Sequence, residues 1–272
     1  MSEATAQAAS GLPRSITGMG RHRGVLMLLL AALTGVVAGL VVTIMSSTMQ
    51  AMHVIMFDLN PGDKLSAQRQ LSFEALALLP GAGGILMGIS VVLARRFRTR
   101  PPVDPIEANA VHGGRMSIRE SLIVAVQTVI SSGFGASVGL EAGYTQMSAS
   151  LGSWLAVRLK LRRNEVRTLV GCGAGCAIAA AFGAPLTGAF YGFELIIGAY
   201  SPSLLAPVMV ASLAASLVAS HLGAIQMSVD IGRHAAPGLD SIWPFFTVGV
   251  LGAAVAVGVM RSVELAEAGY RW

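Results

Sequence analysis

Residues 159–196 read LKLRRNEVRTLVGCGAGCAIAAAFGAPLTGAFYGFELI. The stretch begins basic and turns apolar after Asn164. Positive charge in a short loop beside apolar spans marks the cytoplasmic side of a membrane. The pattern predicts a helix over 164–182, rich in glycine and alanine. Cys172 and Cys176 lie four apart on one face of it; no further metal ligands stand nearby, so both read as small buried residues. FGAP at 182–185 breaks the helix, because proline cannot continue one. A second helix is predicted over 185–198.

The rest of the chain has the same character. It is 54% hydrophobic and 12% charged over 272 residues, where a soluble domain carries roughly 25% charged residues. Its mean hydropathy is +0.67. Such a chain belongs in a bilayer. The net charge of +5 gathers in RHR at 21–23, RRFRTR at 95–100 and the 158–167 segment, each against an apolar span. This distribution argues against a nucleic-acid footprint. Spans are predicted over about Gly24–Met56, Phe73–Leu93, Ser117–Ser131, Glu141–Arg158, Ser203–His221 and Trp243–Ala266. Polar loops separate them at 58–70, 101–116 and 227–241. Residues 1–20 read as a disordered cytoplasmic tail, and 21–272 as the transmembrane domain. Several helices are short and broken by GFG at 133–135, FGAP at 182–185 and SP at 201–202. Broken helices meeting at mid-membrane are the mark of transporters and channels.

The bend GFGASVGLEAGYTQ, 133–146, places one carboxylate, Glu141, in an apolar region. Intramembrane carboxylates are functional by default. Gly139-Leu140-Glu141-Ala142-Gly143 opens a predicted helix, whose unpaired amides and dipole suit an anion. Glu141 is either that anion or its competitor. Glutamate is a poor N-cap, which argues against a purely structural role.

These residues carry a resemblance. GLEAG at 139–143 with Gln146 resembles the GREGP motif of the CLC chloride channels and chloride/proton exchangers. Residues 159–196 resemble that family's basic loop, small-residue helix, AAAFNAPLAG turn and following glutamate. The order of spans agrees from about Gly24 to the C-terminus. The resemblance implies an all-α membrane protein, a multi-spanning bundle of tilted and broken helices. In this chain it covers one of two inverted repeats plus one helix. It further implies a homodimer with one anion pathway per subunit, lined by helix N-termini, and Glu141 as its gate. Gly139, Leu140, Ala142, Gly143 and Pro102 fall at anion-binding positions. No cofactor is implied beyond the transported anion, chloride or nitrate, and the partners are lipid and a second subunit.

Four departures bear on function. The chain matches the family's first half, and nothing in it resembles the GxFxP element or the pore tyrosine of the second. A fragment of a longer product is the preferred reading, with assembly of two half-chains as the alternative. At the position of the family's GSGIP element stands Pro101-Pro102-Val103-Asp104-Pro105, so Pro102 replaces an anion-contacting serine. Plant members with proline there prefer nitrate. The plainer reading is a helix start, with Asp104 as N-cap, Pro105 at N1 and Glu107 at N3. Leu140 replaces an arginine, which lowers the local positive potential; Arg115 and Arg119 lie upstream. Glu194 matches a structural position and is expected to be buried among donors. Leu195 stands where exchangers place their proton-relaying glutamate, so by resemblance the pathway reads as channel-like, or as that of an exchanger with an unusual route.

Tyr144 is expected in packing rather than in a vestibule. Met45, Met49, Met52 and Met56 follow helical spacing and read as packing. Trp154, Trp243 and Trp272 suit interfacial anchoring. His53, His112, His221 and His234 receive no role. The leading expectation is an anion channel or transporter subunit of a bacterial inner membrane, with its N-terminus in the cytoplasm. The alternative is a truncated or degenerate relative that conducts nothing. An intramembrane enzyme would need a nucleophile–base pair or metal ligands, and the sequence offers neither.

Overall fold

The computed structural model describes residues 14–68, 71–97, 101–198, 201–224, 238 and 242–270. Helices follow in the order α1 (Arg14–Phe57), α2 (Phe73–Phe97), α3 (Pro105–Ala110), α4 (Ile118–Gly133), α5 (Glu141–Arg158), α6 (Arg163–Phe182), α7 (Pro185–Phe190), α8 (Pro202–His221) and α9 (Ile242–Tyr270). A π-helical turn, Tyr191–Ile197, continues α7. There is no strand among the described residues. Two units emerge, Met1–Ser228 and Val229–Trp272. The second holds α9, an apolar helix long enough to cross a bilayer.

The predicted spans all appear as helices. One expectation is corrected: α1 starts at Arg14, so residues 14–20 of the expected tail are helical. Nothing between Arg14 and Gly24 breaks a helix as proline would, and a helix leaving the bilayer can continue into water. The start of the tail, the 227–241 loop apart from Gly238, His234 and Trp272 lie outside the described residues. Within the expected polar stretch 101–116, α3 forms as its cap residues predict. Asp104 accepts from the amides of Ile106 (2.7 Å) and Glu107 (2.9 Å).

At the centre of the first unit is α6, with 83% of its apolar window buried against 6% for α2. Side-chain size explains this. Gly171, Cys172, Gly173, Ala174, Gly175, Cys176, Ala177, Ala179 and Ala180 are all buried, and both cysteines are fully enclosed. In lipid the hydrophobic effect does not drive helices together; close backbone approach does. A methyl group added at Gly173 would strike the Ser148 carbonyl of α5, and one at Gly175 the Gly188 carbonyl of α7. Gly171 and Gly192 face each other in the same way. On the far side, Gly35 of α1 lies against Ala211 of α8.

The polar helix α5 fits because protein surrounds it. Its Tyr144, Thr145, Gln146, Ser148, Ser150 and Ser153 are buried. Most of these polar side chains find partners at once: Thr145 donates to the Glu141 carbonyl (2.8 Å), Ser150 to Met147 (2.8 Å) and Ser153 to Gly114 (2.6 Å). Tyr144 is in the core, as expected, together with Met45.

Candidate anion-binding site

The bend before α5 is built from its flanks. His53 of α1 is buried, and its Nε2 lies 2.9 Å from the Ser132 carbonyl. Its ring meets Phe57 edge-on at 5.9 Å. Ser132 in turn donates its hydroxyl to the Val138 carbonyl (2.5 Å). Gly135 takes φ +87°, which only glycine adopts freely. The chain therefore enters α5 along a path fixed at both ends. Sequence gave no sign of the His53 contact, since one histidine in an apolar helix has many uses.

The entrance to α5 is open. Leu140 stands at the N-cap, and no side chain caps the helix. The first turn closes with Tyr144 N–H donating to the Leu140 carbonyl (2.9 Å). The amides of Glu141, Ala142 and Gly143 precede that bond. Unpaired amides at the start of an 18-residue helix are chemistry that suits an anion. The Glu141 carboxylate folds back over Gly139, where a Cβ would collide with it. Gly139 and Ala142 are exposed and Glu141 is half-buried.

Not every predicted residue faces this opening. The Leu140 side chain is in the core with Ala125 and Tyr144, so only its backbone is available to a ligand. Gly143 is buried, tight against Met45 of α1 and Thr128 of α4. Its role is close packing, with its amide alone left for binding. Arg119 is engaged elsewhere, donating to the Phe97 carbonyl (3.1 Å).

Gln146, one turn into α5, donates to the Val103 carbonyl (2.8 Å) and to the Ser121 hydroxyl (3.2 Å). It thus ties the Pro101–Asp104 stretch, with Pro102, to the same helix as Glu141. Asp104 already holds the α3 amides nearest Pro102, which leaves that end less available to an anion. Asn109 closes the other side of α3. Fully buried, it donates to the carbonyls of Arg167 (3.0 Å) and Ile196 (2.9 Å).

The expectation for Glu194 is corrected. It is exposed, not buried. The π-helical turn directs Gly192, Phe193, Ile196 and Ile197 inward, which leaves Glu194 and Leu195 on its outer face. The wider turn arises where Gly192 abuts Gly171 of α6, a tertiary contact that spacing in sequence does not reveal.

The chain as a whole is similar to known proteins. A family model described as voltage gated chloride channel matches residues 83–272. A ClcB-like protein of Ralstonia nicotianae is 30% identical over 203 residues, covering 72% of this chain and 46% of its own length. The voltage-gated ClC-type chloride channel ClcB of Yersinia pseudotuberculosis is 26% identical over 230 residues, 83% of this chain and 54% of that protein. A solved structure described as a slow cyanobacterial Cl−/H+ antiporter superposes with a TM-score of 0.60 at 24% identity, over 83% of this chain and 53% of that one. The chain thus spans about half the length of the relatives it matches. With five helices among the described residues long and apolar enough to cross a bilayer, this integral membrane chain belongs to the voltage-gated chloride channel family.

Proposed function

We propose that this chain supplies one half of an anion pathway, in which the amides at the start of α5 hold chloride or nitrate and Glu141 is the gate. One observation carries the reading: the α5 N-terminus lacks a side-chain cap while the Glu141 carboxylate folds back over Gly139. A carboxylate that competes with the anion for the same amides would block the site when in place and open it when displaced. Leu195 supports a channel-like pathway, since leucine carries no proton. The other half of the pathway comes from a second repeat, carried by a longer product or by a second half-chain, within a homodimer of one pathway per subunit in a bacterial inner membrane, with the chain's N-terminus in the cytoplasm.

The test is anion efflux from liposomes holding the purified protein, wild type beside Glu141→Gln. Chloride or nitrate efflux that rises with the substitution supports the gate. Efflux equal in the two refutes it. The second reading, a non-conducting relative, draws on the Asp104 cap, which occupies α3 amides near Pro102. Absence of efflux from both proteins, and from any longer form of the chain, favours that reading.

A further inference from the structure

A second feature lies away from the bend, where the α3–α4 loop meets the turn between α5 and α6. A cavity of about 570 Å³ opens there, bounded by His112, Gly113, Arg115, Lys160 and Arg163 and by apolar Val111, Val157, Leu161 and Val166. No carboxylate among the described residues lies within ion-pair distance of Arg115, Lys160 or Arg163; the nearby acids are engaged by Arg23 and His112. His112 brings the acid Glu107 to 3.4 Å, so its end of the cavity is close to neutral when the imidazole is charged. The three unpaired cations dominate the rest.

The cavity is built, not incidental. Gly113 takes φ +62° and Gly114 φ +82°. Arg163 lies directly over Gly113, 2.7 Å from where a Cβ would stand. The loop is fixed by the Ser153 hydroxyl, which donates to the Gly114 carbonyl and accepts from the Met116 amide (3.0 Å). Lys160 takes φ +52° at the end of α5, where the Lys160 and Leu161 amides close onto the carbonyls of Val157 and Ala156. That position in a helix-ending turn favours glycine. A lysine there bears a small steric cost that glycine would not.

The cavity shares Arg115 and Val157 with an adjoining groove of about 520 Å³, lined also by Met116, Ile118, Ser153, Trp154 and Arg158. Trp154 is half-exposed, and the Arg158 guanidinium lies 5.9 Å from its ring centre. A basic cavity at the end of membrane helices, continuous with an apolar groove carrying an interfacial tryptophan, has the two chemistries of an anionic lipid.

We propose that this site holds an anionic phospholipid, its phosphate among Arg115, Lys160 and Arg163 and its acyl chains leaving along Trp154 and Val157. A free phosphate would use the cavity and ignore the groove. The proposal is independent of whether the chain conducts.

Native mass spectrometry of the purified protein tests it, with phosphatidylglycerol, phosphatidylcholine of matched chains and inorganic phosphate as separate titrants. Phosphatidylglycerol is expected to bind at least about tenfold more tightly than phosphatidylcholine, and each of Lys160→Gly and Arg163→Gln to weaken it roughly fivefold. Lys160→Gly also relieves the left-handed strain, so its melting temperature should hold or rise. Lost binding then cannot come from unfolding, and Arg163→Gln provides a second check. Equal binding of the two lipids overturns the proposal, as does phosphatidylglycerol binding that neither substitution changes. Inorganic phosphate displacing the lipid at equal concentration also overturns it, in favour of a free-phosphate site.

Discussion

Gly139 has no Cβ where one would collide with the Glu141 carboxylate. The obstacle is the far end of a flexible side chain, so alanine at 139 should fold while pushing the carboxylate out of place. Gly139→Ala is therefore expected to increase efflux in the same direction as Glu141→Gln, with the negative charge still present. Efflux from liposomes, with circular dichroism to confirm folding, checks it. An unchanged rate would mean that the carboxylate's position does not limit passage. At this scale the sequence was informative where a rule was local. Asp104 caps α3 as its neighbours Pro105 and Glu107 predicted, and Glu141 stands at an open helix start. It was silent where a contact was distant. His53 reaches Ser132 across 79 residues, and Glu194 is exposed because of the way the π-helical turn faces.

Between elements, one of the tight backbone approaches joins α6 to α7. A methyl group at Gly188 would meet the Gly175 carbonyl and the backbone and Cβ of Ala179. Neither backbone can yield without moving its helix. Gly188→Ala should destabilise the fold by about 1–3 kcal/mol, the usual cost of overpacking, seen as a lower melting temperature in detergent. Gly81→Ala in α2, where the new methyl meets nothing within 4 Å, is the control and should stay within about 0.5 kcal/mol. The helix breaks were legible from glycine and proline alone: α6 ends at Gly183 with φ +62° and α7 begins at Pro185. The π-helical turn was not legible, because hydrogen-bond spacing there depends on Gly192 meeting Gly171. The start of α1 was also misjudged, since polar composition marks the edge of the bilayer and not the end of a helix.

Across the molecule, composition was enough to place the chain in a membrane, and motif order was enough to identify its family. Neither showed how the chain could hold α5. That helix has 18 residues, yet it is not among the helices apolar enough to cross a bilayer unaided. Its hydroxyls and amide are tolerable only because α4, α6 and the 101–116 segment surround them. In a glycosylation-tag insertion assay, α5 expressed alone between neutral flanks should fail to integrate, whereas residues 101–198 together should retain it. Efficient insertion of the isolated helix would contradict this. The consequence reaches to biosynthesis. If α5 fails to insert alone, the translocon has to hold it at its lateral gate until α6 arrives, and the residues of the candidate gate then stay exposed to quality control while the chain is made.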